Sequence, residues 1–146
     1  MKSKYFKIQE LVSKQTYEKY GEKSWIFLDE RLILTLDALR EYFNAPITVN
    51  NWLWGGNLQQ RGLRANCDEI VKNKTLKNSL YVSQHCLGKA VDFNVKNHTV
   101  KDVYKVILEN PKAFPYIKRI ENINKTPTWV HIDIANTENE NIIIFN

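Results

Sequence analysis

No long hydrophobic run exists in this sequence. Its longest apolar stretches, such as Ile142 to Phe145, fall far short of the roughly 18 to 20 residues that spanning a bilayer demands, which argues against membrane insertion. The opening MKSKYFKIQELVSK breaks at once into a charged, helix-like pattern. Nothing there joins a basic start to an apolar centre of secretory length, so the expectation is cytoplasmic synthesis without a signal peptide. Cysteine is scarce. Cys67 and Cys86 stand nineteen residues apart without CxxC spacing, and in the absence of an export signal they are expected to be reduced thiols. There is no internal repeat, low-complexity tract or linker, and residues 1–146 read as a single domain. Nor does charge of one sign dominate: 21 basic against 16 acidic residues leave +5. That excess draws anionic partners over a distance, and both nucleic acid and anionic cell-wall polymers qualify. The basic residues are scattered. Lys72, Lys74 and Lys77 come nearest to a cluster and read as a solvated face.

What is present suits one packed core, with 43% apolar and 12% aromatic residues. Phe6, Ile8, Leu11 and Val12 suggest a short N-terminal helix, with Gly21 ending the polar stretch that follows. Asp29 can cap a helix in which Leu32, Leu36, Leu39 and Phe43 recur at helical spacing until Asn44-Ala45-Pro46 stops it. Ile47 to Val49 reads as a short strand and Asn50 to Gly56 as a loop. A helical turn is expected near Leu63 to Lys72, and a strand over Ala90 to Val95. Thr99, with Asp102 three residues on, opens an amphipathic helix that ends before Pro111. Tyr116 to Glu121 and Thr128 to Ile134 look like an antiparallel hairpin.

Strand alternation sends Val91, Phe93 and Val95 to a core and turns Asp92 the other way. Applied to the last strand, it groups Trp129, His131 and Asp133 opposite Val130, Ile132 and Ile134. His85 precedes Asp92 by seven residues, and Gly88 between them lets the chain turn. Two imidazoles and a carboxylate can then converge. Three protein ligands with a fourth position left open is the arrangement of a catalytic zinc, which activates water and polarises a carbonyl. His98 sits in a polar loop and is read as having no part in the site.

At these residues the sequence resembles a known family. Ser83-x-His85-x-x-Gly88-x-Ala90-x-Asp92 is similar to the first zinc motif of the D-Ala-D-Ala carboxypeptidase-like (M15) peptidases, and Trp129-Val130-His131-Ile132-Asp133 to their second. Motif order and separation also resemble the family, and the N-terminal segment, the Asp29 helix and the strand before Trp52 resemble its small phage-encoded members. The resemblance implies Zn2+ held by His85, Asp92 and His131. It implies an α+β fold, a small antiparallel sheet flanked by helices, as in the hedgehog/DD-peptidase domains. It implies hydrolysis of amide bonds in peptidoglycan stem peptides, by a phage endolysin or a D-Ala-D-Ala carboxypeptidase, with action at the bacterial cell wall; the chain itself is expected to be a monomer.

Family members place an acidic residue or His shortly before the second zinc histidine, where this chain has Thr126 and Thr128. Glu121, at the end of the preceding strand, is therefore the candidate general base, with Asp133 or Asp68 next; the alternative is that it pairs with Arg119 or faces solvent. The resemblance also implies an arginine ahead of the first motif that binds a substrate carboxylate or carbonyl, and Arg61 and Arg64 both stand there. Ser83 is expected to orient the His85 loop or touch substrate, and Asp133 to support a ligand. A competing reading is a non-catalytic phage structural or cell-wall-binding module that keeps the fold. A nucleic-acid-binding domain using the three lysines and the tryptophans explains neither histidine motif.

Overall fold

The computed structural model describes every residue from Met1 to Asn146. Its first regular helix is not where the apolar residues of the N-terminal segment suggest. Phe6 to Val12 makes only a three-residue 3-10 turn, Ile8–Glu10. Its carbonyls are turned to distant partners: Leu11 accepts from the Leu63 N–H, and Val12 from the Asn50 and Trp52 side chains. Helix α1, Lys14–Tyr20, begins immediately afterwards, where the Ser13 hydroxyl accepts the Thr16 N–H, and it closes at Gly21.

Helix α2, Glu30–Phe43, matches its sequence signals at both ends. Asp29 accepts the Arg31 N–H at 2.9 Å, and Asn44 stops the helix in the left-handed conformation, φ 44°. Leu32, Leu36 and Leu39 are buried along one stripe. The turn expected over Leu63 to Lys72 instead starts later, as α3, Glu69–Leu76. Backbone amides that would have begun it earlier are committed elsewhere, Leu63 to Leu11 and Arg64 to the carbonyl of His85. Lys72, Lys74 and Lys77 are solvent-exposed. Helix α4, Val100–Glu109, is capped by Thr99, whose hydroxyl accepts the Asp102 N–H at 3.1 Å.

The strands are β1, Ile47–Thr48, β2, Ala90–Val95, β3, Arg119–Glu121, β4, Val130–Asp133, and β5, Ile143–Phe145. They form one sheet in the order β1-β2-β4-β3-β5. The antiparallel β3–β4 hairpin is as expected, with narrower limits. The all-antiparallel sheet is not: β5 runs parallel to β3 and makes the sheet mixed. After β4 the chain reverses once, which gives β5 the direction of β3. Because β4 already has β2 and β3 as neighbours, the only berth on that side is the outer edge of β3.

Val91, Phe93 and Val95 of β2, Ile120 of β3 and Val130 and Ile132 of β4 form one face of the sheet. They join Leu32, Leu36 and Leu39 of α2 and Val103 and Ile107 of α4 in a cluster of 25 buried residues. The reverse face carries Asp92 opposite His131, and Asp133 between Ala90 and Arg119. It too is covered. Segments around Arg61 to Arg64 and Tyr81 to Gly88 fold over it, tied by the Asp92 N–H to the Arg61 carbonyl at 2.8 Å and the Arg64 N–H to the His85 carbonyl at 3.1 Å. No helix is long and apolar enough to cross a membrane.

Candidate metal centre

His85 hangs from a turn that glycine makes possible. Gly88 has φ +66°, and a Cβ there would lie 1.9 Å from the Phe27 carbonyl oxygen. The chain can therefore double back over α2's entrance and deliver His85 to the sheet. Asp92 and His131 reach the same point from β2 and β4, where the register sets them directly opposite each other.

The three ligand atoms are His85 Nε2, Asp92 Oδ1 and His131 Nδ1. Their separations are 3.3 Å between the imidazoles, 3.4 Å from His85 to Asp92 and 2.7 Å from His131 to Asp92. Ligands about 2.0 to 2.1 Å from a tetrahedral ion stand roughly 3.3 Å apart, so two of the three edges have metal-site spacing and the third is a hydrogen bond a metal would open slightly. All three residues are buried. This group can hold a metal ion.

Hydrogen bonds behind the ligands fix which nitrogen each ring presents. His85 Nδ1 donates to the Gly62 carbonyl at 2.8 Å, leaving the Nε2 lone pair facing inward. His131 Nε2 faces Asp133 Oδ2 at 3.4 Å, leaving Nδ1 for the centre. Asp133 is fully buried and gripped by Arg119 through Nε at 3.0 Å and Nη2 at 2.8 Å. Arg64 does the same for Asp92, with Nη2 to Oδ2 at 3.1 Å. Burial opposes charge on Asp92, but hydrogen bonds from His131 and His85 and their charge hold its carboxyl well below the usual range. Burial likewise disfavours charge on His131, yet Asp133 and Asp92 outweigh it and raise the ring to about 9.

No family model, curated protein or solved structure matches the chain.

The triad opens on a cavity of about 450 Å³ whose walls include Tyr81, Ser83, Glu121, Trp129 and Phe145. Glu121 is half-buried there, one residue beyond the last β3–β4 pair, Ile120 with Ile132, and opposite Phe145 of β5. Arg119 pairs with Asp133, not with Glu121, so the Glu121 carboxylate has no ionic partner in the chain. Asp68 is elsewhere: it lies in the wall of a separate cavity, accepting the Ala65 N–H.

The two arginines differ. Arg64 is fully engaged, donating to the Gln60 carbonyl, the Tyr81 hydroxyl and Asp92. Arg61 gives one bond, Nη1 to Asn94 Oδ1 at 2.7 Å, and lies 5.8 Å over the Trp129 ring with no carboxylate partner. The Ser83 hydroxyl accepts the His85 N–H at 3.2 Å and so steadies the ligand loop. Cys67 and Cys86 are unpaired, and Cys86 lines a different cavity behind that loop. His98 is exposed and packs edge-on to Phe43.

Sequence reasoning missed Tyr81, which holds Arg64, and Phe145, which packs 5.5 Å from the His131 ring and 4.5 Å from the Arg119 guanidinium. It gives Arg119 only as a partner for Glu121. The signal for its true role was its place on the same strand face, two residues away. Phe145 lies in the apolar, β-branched run Ile142 to Phe145, which suits a strand, but nothing in that run says which sheet edge it joins.

Proposed function

We propose that the protein is a zinc-dependent peptidase that hydrolyses amide bonds in peptidoglycan stem peptides. The observation carrying this reading is the convergence of His85 Nε2, Asp92 Oδ1 and His131 Nδ1 at the floor of a cavity also lined by the unpaired Glu121. Two nitrogens and one oxygen suit zinc, and three protein ligands leave it a position for reaction. Bound there, zinc supplies Lewis acidity toward a carbonyl and makes water nucleophilic near neutral pH.

This chain's residues do the rest. Glu121 takes a proton from the attacking water and passes it to the leaving amine. Arg61 does not line the cavity itself but lies over the ring of Trp129, which does, and with free donors in that half-buried setting it binds a substrate carboxylate or carbonyl. Arg64 and Arg119 hold the ligand set in place by gripping Asp92 and Asp133. The likeness of the two motifs to the M15 peptidases supports peptidoglycan as the substrate, and the net charge of +5 suits an anionic wall.

One observation favours a second reading, a non-catalytic wall-binding or phage structural module: Thr128, not an acid, stands three residues before His131. Mass spectrometry of purified peptidoglycan after incubation with the zinc-loaded protein separates the two. New peptide termini that disappear with a chelator are expected. A zinc-loaded protein that releases nothing from any wall tested hands the lead to the binding module.

A further inference from the structure

Between α3 and the His85 turn, the chain passes along the cavity as a segment with no regular structure, Leu80 to Ser83. Its exposure alternates. Leu80 and Val82 are 94% and 73% exposed, while Tyr81 and Ser83 between and after them are half-buried. The inward pair is anchored, the Tyr81 hydroxyl by Arg64 Nη1 at 2.7 Å and the Ser83 hydroxyl by the His85 N–H. A two-residue period is that of an extended strand. Yet no backbone N–H or carbonyl from Leu80 to Val82, nor the Ser83 N–H, has a partner in the chain. Tyr81, Val82 and Ser83 all line the metal cavity.

An unpaired, strand-like run beside a hydrolytic centre has a natural complement. A peptide entering the cavity loses water from every amide it buries, and each N–H and C=O then needs a partner. Main-chain pairing supplies those partners in register and without regard to side-chain identity. Hydrolysis also requires the scissile carbonyl to be held within about 3 to 3.5 Å of the reacting groups, which side-chain contacts on one arginine do not achieve.

Resting on the peptidase reading above, we infer that Leu80–Ser83 is the docking rail for the substrate, pairing its main chain with the extended peptide of peptidoglycan and leading it to the metal centre. The exposed Leu80 and Val82 side chains then lie along the outside of the pair and meet small apolar side chains of the bound peptide. Continuity of this segment with the His85 turn sets the occupant, since a peptide seated on it runs directly over the ligands.

The test uses the whole zinc-loaded protein, in the cold, with insoluble peptidoglycan and with soluble fragments of it. Val82→Pro deletes one rail N–H, and because that group is unpaired in the fold, zinc content and melting temperature should be kept. Association with peptidoglycan should fall about tenfold or more, whereas Val82→Ala, which leaves the main chain intact, should change it less than about threefold. Independently of any variant, the amides of Tyr81, Val82 and Ser83, fast-exchanging in the free protein, should become protected from hydrogen exchange when the fragments bind. Binding unchanged by Val82→Pro, or fragment binding without protection at these amides, overturns the rail alone. A protein that associates with no peptidoglycan at all overturns the substrate reading and the rail together.

Discussion

Asp92 Oδ1 touches both imidazoles, so no ligand of the triad is spare. Replacing His85 or His131 by Ala should strip the metal severely, and elemental analysis of the purified variants would reveal the contrary as full zinc content. Glu121 is different, because it makes no hydrogen bond or ion pair with any of the three ligands. Glu121→Gln keeps size and reach but not basicity, so zinc and folding should persist while hydrolysis falls by roughly 10² to 10⁴. Wild-type turnover in that variant would put the base elsewhere. The carboxylates that orient His131 also hold its charged form up to about 9. Ligation needs the neutral ring, so metal binding should release a proton and tighten as pH rises from about 6.5 to about 9. The sign for the metal-free fold is opposite. A raised folded pKa contributes stability in full below the ordinary value of 6.5, and that contribution is lost as pH climbs through about 9. Competitive zinc titration and metal-free melting across this window should therefore trend in opposite directions, and a level affinity would contradict the assignment. The triad itself was legible, since strand alternation and the Gly88 turn together aim His85, Asp92 and His131 at one place. Its depth was not: alternation gives the face of Asp92, whereas the cover over that face comes from residues some thirty positions earlier, around Arg61.

Helix α2 shows how far local signals carry. Asp29, the leucine stripe and Asn44 each act within a few residues, and all three predicted it. The shifted α3 had a competing signal, and the apolar run of β5 carried no information about its partner. Leu11 captures the amide of Leu63, and β5 is three residues whose place is decided by which sheet edge remains. The turn from His85 to Gly88 lies between these cases. Its glycine was readable, but the closeness of the Phe27 carbonyl was not. Gly88→Ala should cost more than about 1 kcal/mol, from the positive φ and the clash together, and should lower zinc content by moving His85. Thermal melting with and without metal checks both halves. A variant that melts and binds like the parent would mean the loop yields freely.

A metal held by His85, Asp92 and His131 joins the loop, β2 and β4, so it binds the folded chain and not the unfolded one. With free metal at about 100 times the dissociation constant, the linkage amounts to about 2.7 kcal/mol. Chelation should then lower the melting temperature by on the order of 5 to 10 °C, and no shift on adding a strong chelator would place the ion outside this site. The charge of +5 told little about the chain as a whole, and the α+β class, expected from the resemblance of the two motifs, is the class the structure has, with a mixed sheet in place of an antiparallel one. The strand order has a consequence for how the protein is made. The middle strand of the sheet, β4, is encoded after β1, β2 and β3 and brings the last ligand. A chain emerging from the ribosome N-terminus first exposes β2 with its inner edge empty until Val130–Asp133 has been synthesised. Until then it offers at most two protein ligands. Translation products that stop short of Val130 would consequently lack the third ligand and be prone to sticking through that open edge, so a complete metal site needs synthesis past β4.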